Sequence, residues 1–257
     1  MNLRGFLVLP LALLLSGCVI DTGTRATRHD SVHVERDASE FLRVNLNMGA
    51  GNLNVSRGAG GEFLDGTVIY DIDSWKPVVQ YSASAGHGVL SVVQPASHQP
   101  NIGNLRYEWN LRLANDIPID ISVRFGAGDA KLKLGGLSLR SVEVEMGVGQ
   151  LDLDLRGAPQ RDYDVRIRGG VGEANVRLPR DVGVSAEARG GIGSIHTEGL
   201  RREGAHWIND AYDRAKTTIH LDVQGGIGAI NLISVLNNAP LRQVRTASLR
   251  HPAYILS

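Results

Sequence analysis

A short repeat built on two glycines most constrains the fold of this chain. In each copy Gly-x-Gly is followed by apolar residues four and six positions after the first glycine, as in the segment Gly147-Val148-Gly149-Gln150-Leu151-Asp152-Leu153. Seven copies occur, and their first glycines are Gly49, Gly86, Gly126, Gly147, Gly170, Gly191 and Gly226. The shorter spacings between them are 21 to 23 residues, and the longer ones contain insertions. A recurring period of this length is typical of folds in which each repeat packs on its neighbours.

Alternation of apolar and polar residues on both sides of the glycines predicts strands. In the fourth copy apolar residues occupy positions 142, 144 and 146 before the glycines and positions 151, 153 and 155 after them. A period of two with one polar face indicates half-buried strands. The apolar phase shifts by an odd step across the glycines, so we expect the chain to turn a corner there while its apolar side chains stay inside. Glycine suits such a bend because it tolerates positive φ and close backbone approach.

Two short strands and one glycine corner in about 22 residues predict an all-β, single-domain β-solenoid over residues 41–236. A propeller blade needs about 40 residues and a sandwich does not repeat its corners. The predicted structural corners are Gly49, Gly51, Gly126, Gly128, Gly147, Gly149, Gly170, Gly172, Gly191, Gly193, Gly226 and Gly228. The expected core residues include Leu151, Leu153, Val165, Ile167, Val184 and Ile195. We also expect Gly147→Val to lower stability more than Glu145→Ala, because a β-branched residue resists positive φ.

The N-terminus predicts export and lipid anchoring. An apolar run of ten residues at 6–15 follows Arg4 and is too short to span a bilayer. The next residues, Leu15-Ser16-Gly17-Cys18, resemble the lipobox of bacterial lipoproteins, and Cys18 is the only cysteine of the chain. The resemblance implies a signal peptide at 1–17, lipidation of Cys18 and attachment to a membrane. Residues 18–40 are then expected to form a flexible tether. Residues 237–257 are expected to form a C-terminal tail, in which Tyr254-Ile255-Leu256 could also cover the last rung. With no Asp directly after the cysteine, a Gram-negative organism would place the protein at the outer membrane, facing the periplasm.

Residues 41–235 resemble bacterial toastrack, or adhesin-like, repeat domains, which are related to the C-terminal domains of cell-wall-active antibiotic response proteins. The resemblance is strongest in the segment 202–209 and in the closing segment Ile219 to Leu232. It implies an envelope-facing binding or scaffold module, often linked to envelope stress. We therefore expect a non-catalytic protein whose partners are the membrane, through the anchor, and an envelope protein or glycan.

Several other functions are excluded by residue types and spacing. The formal net charge is zero, which disfavours a nucleic-acid binder. The third glycine of a dinucleotide-binding motif is missing from every copy, so no nucleotide cofactor is expected. No metal site is expected either: His29 and His33 fall in the predicted tether, with no third ligand expected near them.

Two features leave a choice between a structural and a functional role. Asp152, Asp154, Asp162 and Asp164 lie near Arg166 and Arg168, and stacked rungs could bring them together as in a glycan-active enzyme of the lyase or hydrolase type. They could equally form a charged face that keeps the sheet in solution. The insertions at 62–83, 94–118 and 198–216 hold all three tryptophans, which could cap the solenoid or anchor a partner. For the last insertion, with Arg202, Trp207 and Tyr212, we expect a cap with Trp207 buried against Ile195 or Ile219.

Overall fold

The computed structural model describes residues 26–96 and 105–237. The predicted signal peptide, Cys18 and the C-terminal residues from 238 onward lie outside these ranges. The described strands are β1 (Arg28–Glu35), β2 (Phe41–Arg57), β3 (Glu62–Tyr70), β4 (Val78–Ser84), β5 (His87–Val93), β6 (Tyr107–Leu113), β7 (Pro118–Lys133), β8 (Ser138–Asp154), β9 (Tyr163–Pro179), β10 (Gly183–Glu198), β11 (Arg201–Glu203), β12 (His206–Ile208) and β13 (Thr218–Val235). One short 3-10 helix, Asp73–Trp75, lies between β3 and β4. All 13 strands belong to one sheet.

Six strands of 16 to 18 residues form the body of the sheet, and each carries one Gly-x-Gly motif in its middle. In β8 the buried positions are 142, 144 and 146 before the motif and 151 and 153 after it, so the apolar face changes phase there. The second glycine of each of the six motifs has φ between +127° and +146°. Each long strand thus has two arms, and the buried side chains of both arms belong to one continuous core. The all-β, solenoid-like stacking is confirmed.

Close approach of neighbouring strands explains why the motifs need glycine. A Cβ atom at Gly149 would lie 1.8 Å from the Gly128 carbonyl oxygen, and one at Gly147 would lie 2.3 Å from that of Gly126. Gly149 has positive φ, whereas Gly147 does not. The prediction that positive φ makes Gly147→Val costly is therefore wrong. The obstacle is instead the Gly126 carbonyl group on the neighbouring strand.

The long strands stack in parallel in the order β2-β7-β8-β9-β13-β10. Neighbours along the chain are also neighbours in the sheet up to β9, but β13 then inserts between β9 and β10. The order of the repeats in the sheet therefore departs from their order in the sequence at this point. β13 pairs along both of its sides, with β9 and with β10. The outer side of β10 pairs with β12 only at Ser185 and Ala186.

Two segments differ from their sequence interpretation. The copy at Gly86 and Gly88 begins in the hairpin turn between β4 and β5, where Ala85 and Gly86 have φ of +51° and +77°, and Gly88 already lies in β5. Positive φ at both central residues is typical of tight two-residue hairpins. The tether prediction is wrong for residues 28–35, which form β1 and pair with β3. Val32 is buried there, so these residues contribute to the core.

The two ends of the stack differ in how fully they are closed. Beyond β2, the strands β6, β3 and β1 cover one arm, while β5 and β4 cover the other. Trp75, Tyr107 and Trp109 are buried at this end and pack edge to face. These aromatic residues of the first two insertions act as a cap. At the other end, beyond β10, the described residues contribute only the short strands β12 and β11.

Candidate binding site at the open end of the sheet

The second arm of β10, Gly191–Glu198, is an open edge. On one side it pairs with β13 along its length. On the other side β12 reaches only Ser185 and Ala186 in the first arm, and no other described strand follows. Ile195 occupies the position that is buried in the preceding long strands, yet 38% of it is exposed. Its predicted core role is wrong because no described strand covers the arm in which it lies, whereas Leu151, Leu153, Val165, Ile167 and Val184 are confirmed as core residues.

A column of glycines leaves space inside the sheet near this end. The last inward position before the corner holds Met48, Phe125 and Met146 in the first three long strands. In β9, β13 and β10 the same position holds Gly169, Gly225 and Gly190. Three large side chains are therefore followed, along the stack, by three positions without a side chain.

The space left by these glycines is an apolar cavity of about 200 Å³. Met146, Ile167, Val223, Ile230 and Ile195 are among its lining residues. The one charged residue of the lining is Glu173, whose Oε1 accepts a hydrogen bond of 2.8 Å from the Asn231 amide. The cavity is thus suited to an uncharged, aliphatic group.

The backbone does not require glycine at positions 169 and 190. Neither has positive φ. A Cβ atom at Gly169 would lie 3.5 Å from Met146 Cγ, and one at Gly190 would lie 3.9 Å from Ile195 Cγ1, which are ordinary contact distances. A larger residue could stand at either position, and glycine there keeps the cavity open.

An exposed aliphatic ridge follows the outside of the same corner. The middle residues of the Gly-x-Gly motifs are in register, and along the stack they read Ala50, Ala127, Val148, Val171, Ile227 and Ile192. Their size increases towards the open end. The last four are 53%, 45%, 51% and 72% exposed, respectively. Contiguous exposed aliphatic residues of this kind mark surfaces that bind a partner.

The hairpin of β11 and β12 covers part of the open end and carries the predicted cap residues. Trp207 lies beside Ala186, is half-buried and packs against the core. The Arg202 guanidinium carbon lies 5.5 Å from the centre of the Trp207 ring, at the distance of a cation–π contact. Tyr212 is half-buried, and Arg202 is exposed. Trp207 is thus half-buried and not fully buried as expected, and it combines packing against the core with an accessible face.

Asn209 joins this hairpin to the core, a role that the sequence reasoning missed. Its side chain is buried, Oδ1 accepts a 3.0 Å hydrogen bond from the Val184 amide, and Nδ2 donates one of 2.7 Å to the Val182 carbonyl oxygen. Nδ2 also lies 3.3 Å from two further carbonyl oxygens, those of Pro179 and Arg180. In the sequence, the role of Asn209 was indicated only by its place at the end of the segment 202–209, where the family resemblance is strongest.

The acidic and basic residues considered for glycan chemistry lie on two different arms. Asp152 and Asp154 follow the glycines of β8, whereas Asp164, Arg166 and Arg168 precede those of β9. Asp152 accepts a hydrogen bond from Asn175, Asp154 pairs with Arg156, and Asp162 accepts one from the Thr218 amide. Arg168 lies 3.6 Å from Glu143. Except for the local pair of Asp154 and Arg156, these contacts join residues of different strands or loops. The described contacts bring together no pair of carboxylates suited to acid–base catalysis.

His33 is closer to acidic groups than its sequence position suggested. Its Nδ1 lies 3.0 Å from Glu62 Oε2, and Asp65 is near both residues. The expectation that no third ligand lies near is therefore wrong, because β1 pairs with β3. Asp65 is also paired with Arg112, so the cluster already has a cation.

Comparison with known proteins agrees with this architecture. The model of the N-terminal domain of toast_rack matches residues 23–177. This chain belongs to the toast-rack family. The model of the C-terminal region of the cell wall-active antibiotics response protein LiaF matches residues 125–232. No curated protein matches the chain.

A solved structure described as a candidate cell-adhesion protein from Clostridium sporogenes is 35% identical to this toast-rack chain. The match covers 82% of this chain and 100% of the other, with a TM-score of 0.79. A candidate adhesin from Bacteroides fragilis is 12% identical, covering 81% of this chain and 98% of the other, with a TM-score of 0.34. Within residues 26–96 and 105–237, no helix is long and apolar enough to cross a membrane.

Proposed function

We propose that this toast-rack protein is a lipid-anchored, non-catalytic module of the cell envelope that binds a partner at its open end. The single observation that carries the binding role is the difference between the two ends of the stack. One end is covered on both arms. The other presents the cavity, the exposed ridge and the second arm of β10, whose outer side pairs with no described strand. Evolved binding sites are typically concave and apolar.

The envelope location is supported by two independent observations. The lipobox-like segment ends in the only cysteine of the chain. The family matches name a protein that responds to cell-wall-active antibiotics, and the solved structure with 35% identity is described as a candidate adhesion protein. A protein with a lipid-modified Cys18 would be held at a membrane, because several acyl chains anchor far more strongly than one.

The anchor is tested by labelling cells with a palmitate analogue and separating their membranes. We expect the full chain and a Thr22→Ser control to incorporate the label and sediment with membranes, and Cys18→Ser to lose both properties. A Cys18→Ser protein that keeps its label and its membrane association would contradict the anchor.

The binding surface is tested by placing a photo-crosslinking residue at Ile192 of the open end or at Val78, which is exposed on β4 at the closed end. We expect specific adducts in living cells from position 192 and none from position 78. Equal adducts at both positions would contradict a binding site at the open end.

The absence of catalysis and the link to envelope stress are tested separately. Release of products from purified peptidoglycan or another envelope glycan by the protein would contradict a non-catalytic role. The match to LiaF supports a role when the cell wall is damaged. Loss of the protein is therefore expected to change survival under cell-wall-active antibiotics, and unchanged survival would contradict this link.

A further inference from the structure

We propose that the cavity is a channel for one unbranched acyl chain, so that the ligand of this protein is a single-chain lipid of the fatty-acid type. The inference rests on the proposed binding site at the open end and names its ligand. Four observations carry it: the direction of the cavity, its lining, the glycines that keep it open, and its size.

The cavity runs across several strands. Met146 of β8 lies at one limit, and Gly190 and Ile195 of β10 lie at the other. Three strand spacings separate β8 from β10, which corresponds to about 14 Å. A protein side chain entering from beyond β10 would reach roughly one or two of these spacings. A ligand that reaches Met146 must therefore be long and thin, as an acyl chain is.

The lining specifies which part of the ligand enters. Ile167, Val223 and Ile230 present aliphatic surface, and the three glycines add no polar side chain. Glu173 would repel a carboxylate or phosphate placed inside. We therefore infer that the methyl end of the chain lies against Met146 and that the polar head stays outside β10, beside Ser194 and the exposed Ile192.

The size of the channel favours a ligand with one chain. An apolar cavity of about 150 Å³ is large enough for benzene and stays dry without it. The 200 Å³ available here accommodates part of one chain and not two, so a lipid with two acyl chains would leave one in water.

Among residues 26–96 and 105–237, no segment enters the channel. Cys18, the predicted site of lipidation, precedes β1 in the sequence, and β1 lies at the end of the stack opposite to the channel. After β13 the chain passes Asn237, which lies beside Gly135 and Arg156, away from the glycine corner. We therefore propose an external ligand as the occupant of the channel.

The test uses the full chain purified in digitonin and palmitic acid that carries a diazirine at its terminal carbon. After illumination, mass spectrometry is expected to place the adducts on Met146, Ile167 or their immediate neighbours. Unlabelled octanoic, lauric and palmitic acid are then used as competitors. Each methylene that enters the channel should raise the affinity about fourfold, until the channel is full.

Two filling variants make the test specific. Gly169→Val and Gly190→Val place a side chain inside the channel, and its Cβ atom lies at ordinary contact distance from its neighbours. Both variants are therefore expected to keep or raise the melting temperature. Both are expected to reduce labelling at least tenfold. Ala127→Val adds two methyl groups on the exposed ridge, outside the channel, and is expected to label like the unaltered chain. If Gly169→Val fails to fold, labelling of Gly190→Val, whose substitution lies in β10, still tests the channel.

Three results would overturn the channel: adducts spread over the surface, full labelling of a folded filling variant, or labelling only by a lipid with two acyl chains. If crosslinking at Ile192 nevertheless captures a partner, the proposed function stands and only the ligand class is wrong. If membrane association does not depend on Cys18 but the mapped adducts appear, the anchor is wrong and the channel stands.

Discussion

Removal of the Asn209 side chain should uncouple the β11–β12 hairpin from the core. The amide joins the Val184 N–H, at 3.0 Å, to the Val182 carbonyl group, at 2.7 Å, and the side chain is 1% exposed. In Asn209→Ala both backbone groups lose a partner in a buried site. Each unsatisfied group costs about 1–3 kcal/mol, so for the two groups we expect the free energy of unfolding to fall by about 2–6 kcal/mol.

A second variant at the same position separates hydrogen bonding from packing. Asn209→Asp keeps the size of the side chain and the acceptor for Val184, but it places a carboxylate oxygen against three carbonyl oxygens. Burial and these carbonyl groups should raise the pKa of the introduced carboxyl group above the unfolded value of about 3.9. Folding then favours the protonated form, so the variant should be most stable below about pH 4 and lose stability as the pH rises through the folded-state pKa.

The assay is urea unfolding of the full chain, followed by tryptophan fluorescence at several pH values. Asn52 is exposed, and Asn52→Ala and Asn52→Asp serve as matched controls with little expected effect. An Asn209→Ala protein within 0.5 kcal/mol of the unaltered chain, or an Asn209→Asp protein whose relative stability does not depend on pH, would refute the reasoning.

Three further variants test other parts of the fold. Gly149→Ala should lower stability by more than about 3 kcal/mol in thermal unfolding, whereas Gly61→Ala should lower it by about 1 kcal/mol. Both glycines have positive φ, but only Gly149 faces a carbonyl oxygen. Equal losses of stability would contradict the close approach of the strands at Gly149. Trp207→Ala should cost about 1–3 kcal/mol, less than the loss of a fully buried tryptophan, and unchanged stability would assign this residue to partner binding. Burial raises the pKa of Tyr163 above its usual range, so the contribution of this residue to stability should be present below about pH 10 and decline at higher pH. Tyr163→Phe should weaken this decline, as measured by chemical unfolding. An unaltered pH profile in the variant would contradict the role of Tyr163.

The repeat, the two-arm strands and most core positions could be predicted because they depend on local pattern. Alternation specifies which side of a strand is apolar, and an odd step at two glycines specifies a bend. Leu151 and Leu153 therefore have the burial that their spacing predicts. The family resemblance follows from the same local features, because glycine pairs and alternating residues recur in every rung.

The open end could not be predicted, because it depends on which strands become neighbours. Ile195 has the same local pattern as Ile230, yet only Ile230 is buried, since β13 is paired on both sides and this arm of β10 on one. Gly169 and Gly190 similarly look like further corner glycines in the sequence.

The sequence by itself thus determined the rung, its bend and its apolar face, all of which arise from residues within about 22 positions of one another. The tertiary structure alone decided that β13 separates β9 from β10 and that β1 extends the sheet. It also decided that three glycines align to form a cavity. The physical reason is that strand order is selected by hydrogen bonding between segments far apart in the chain, and one strand pattern can pair with several others.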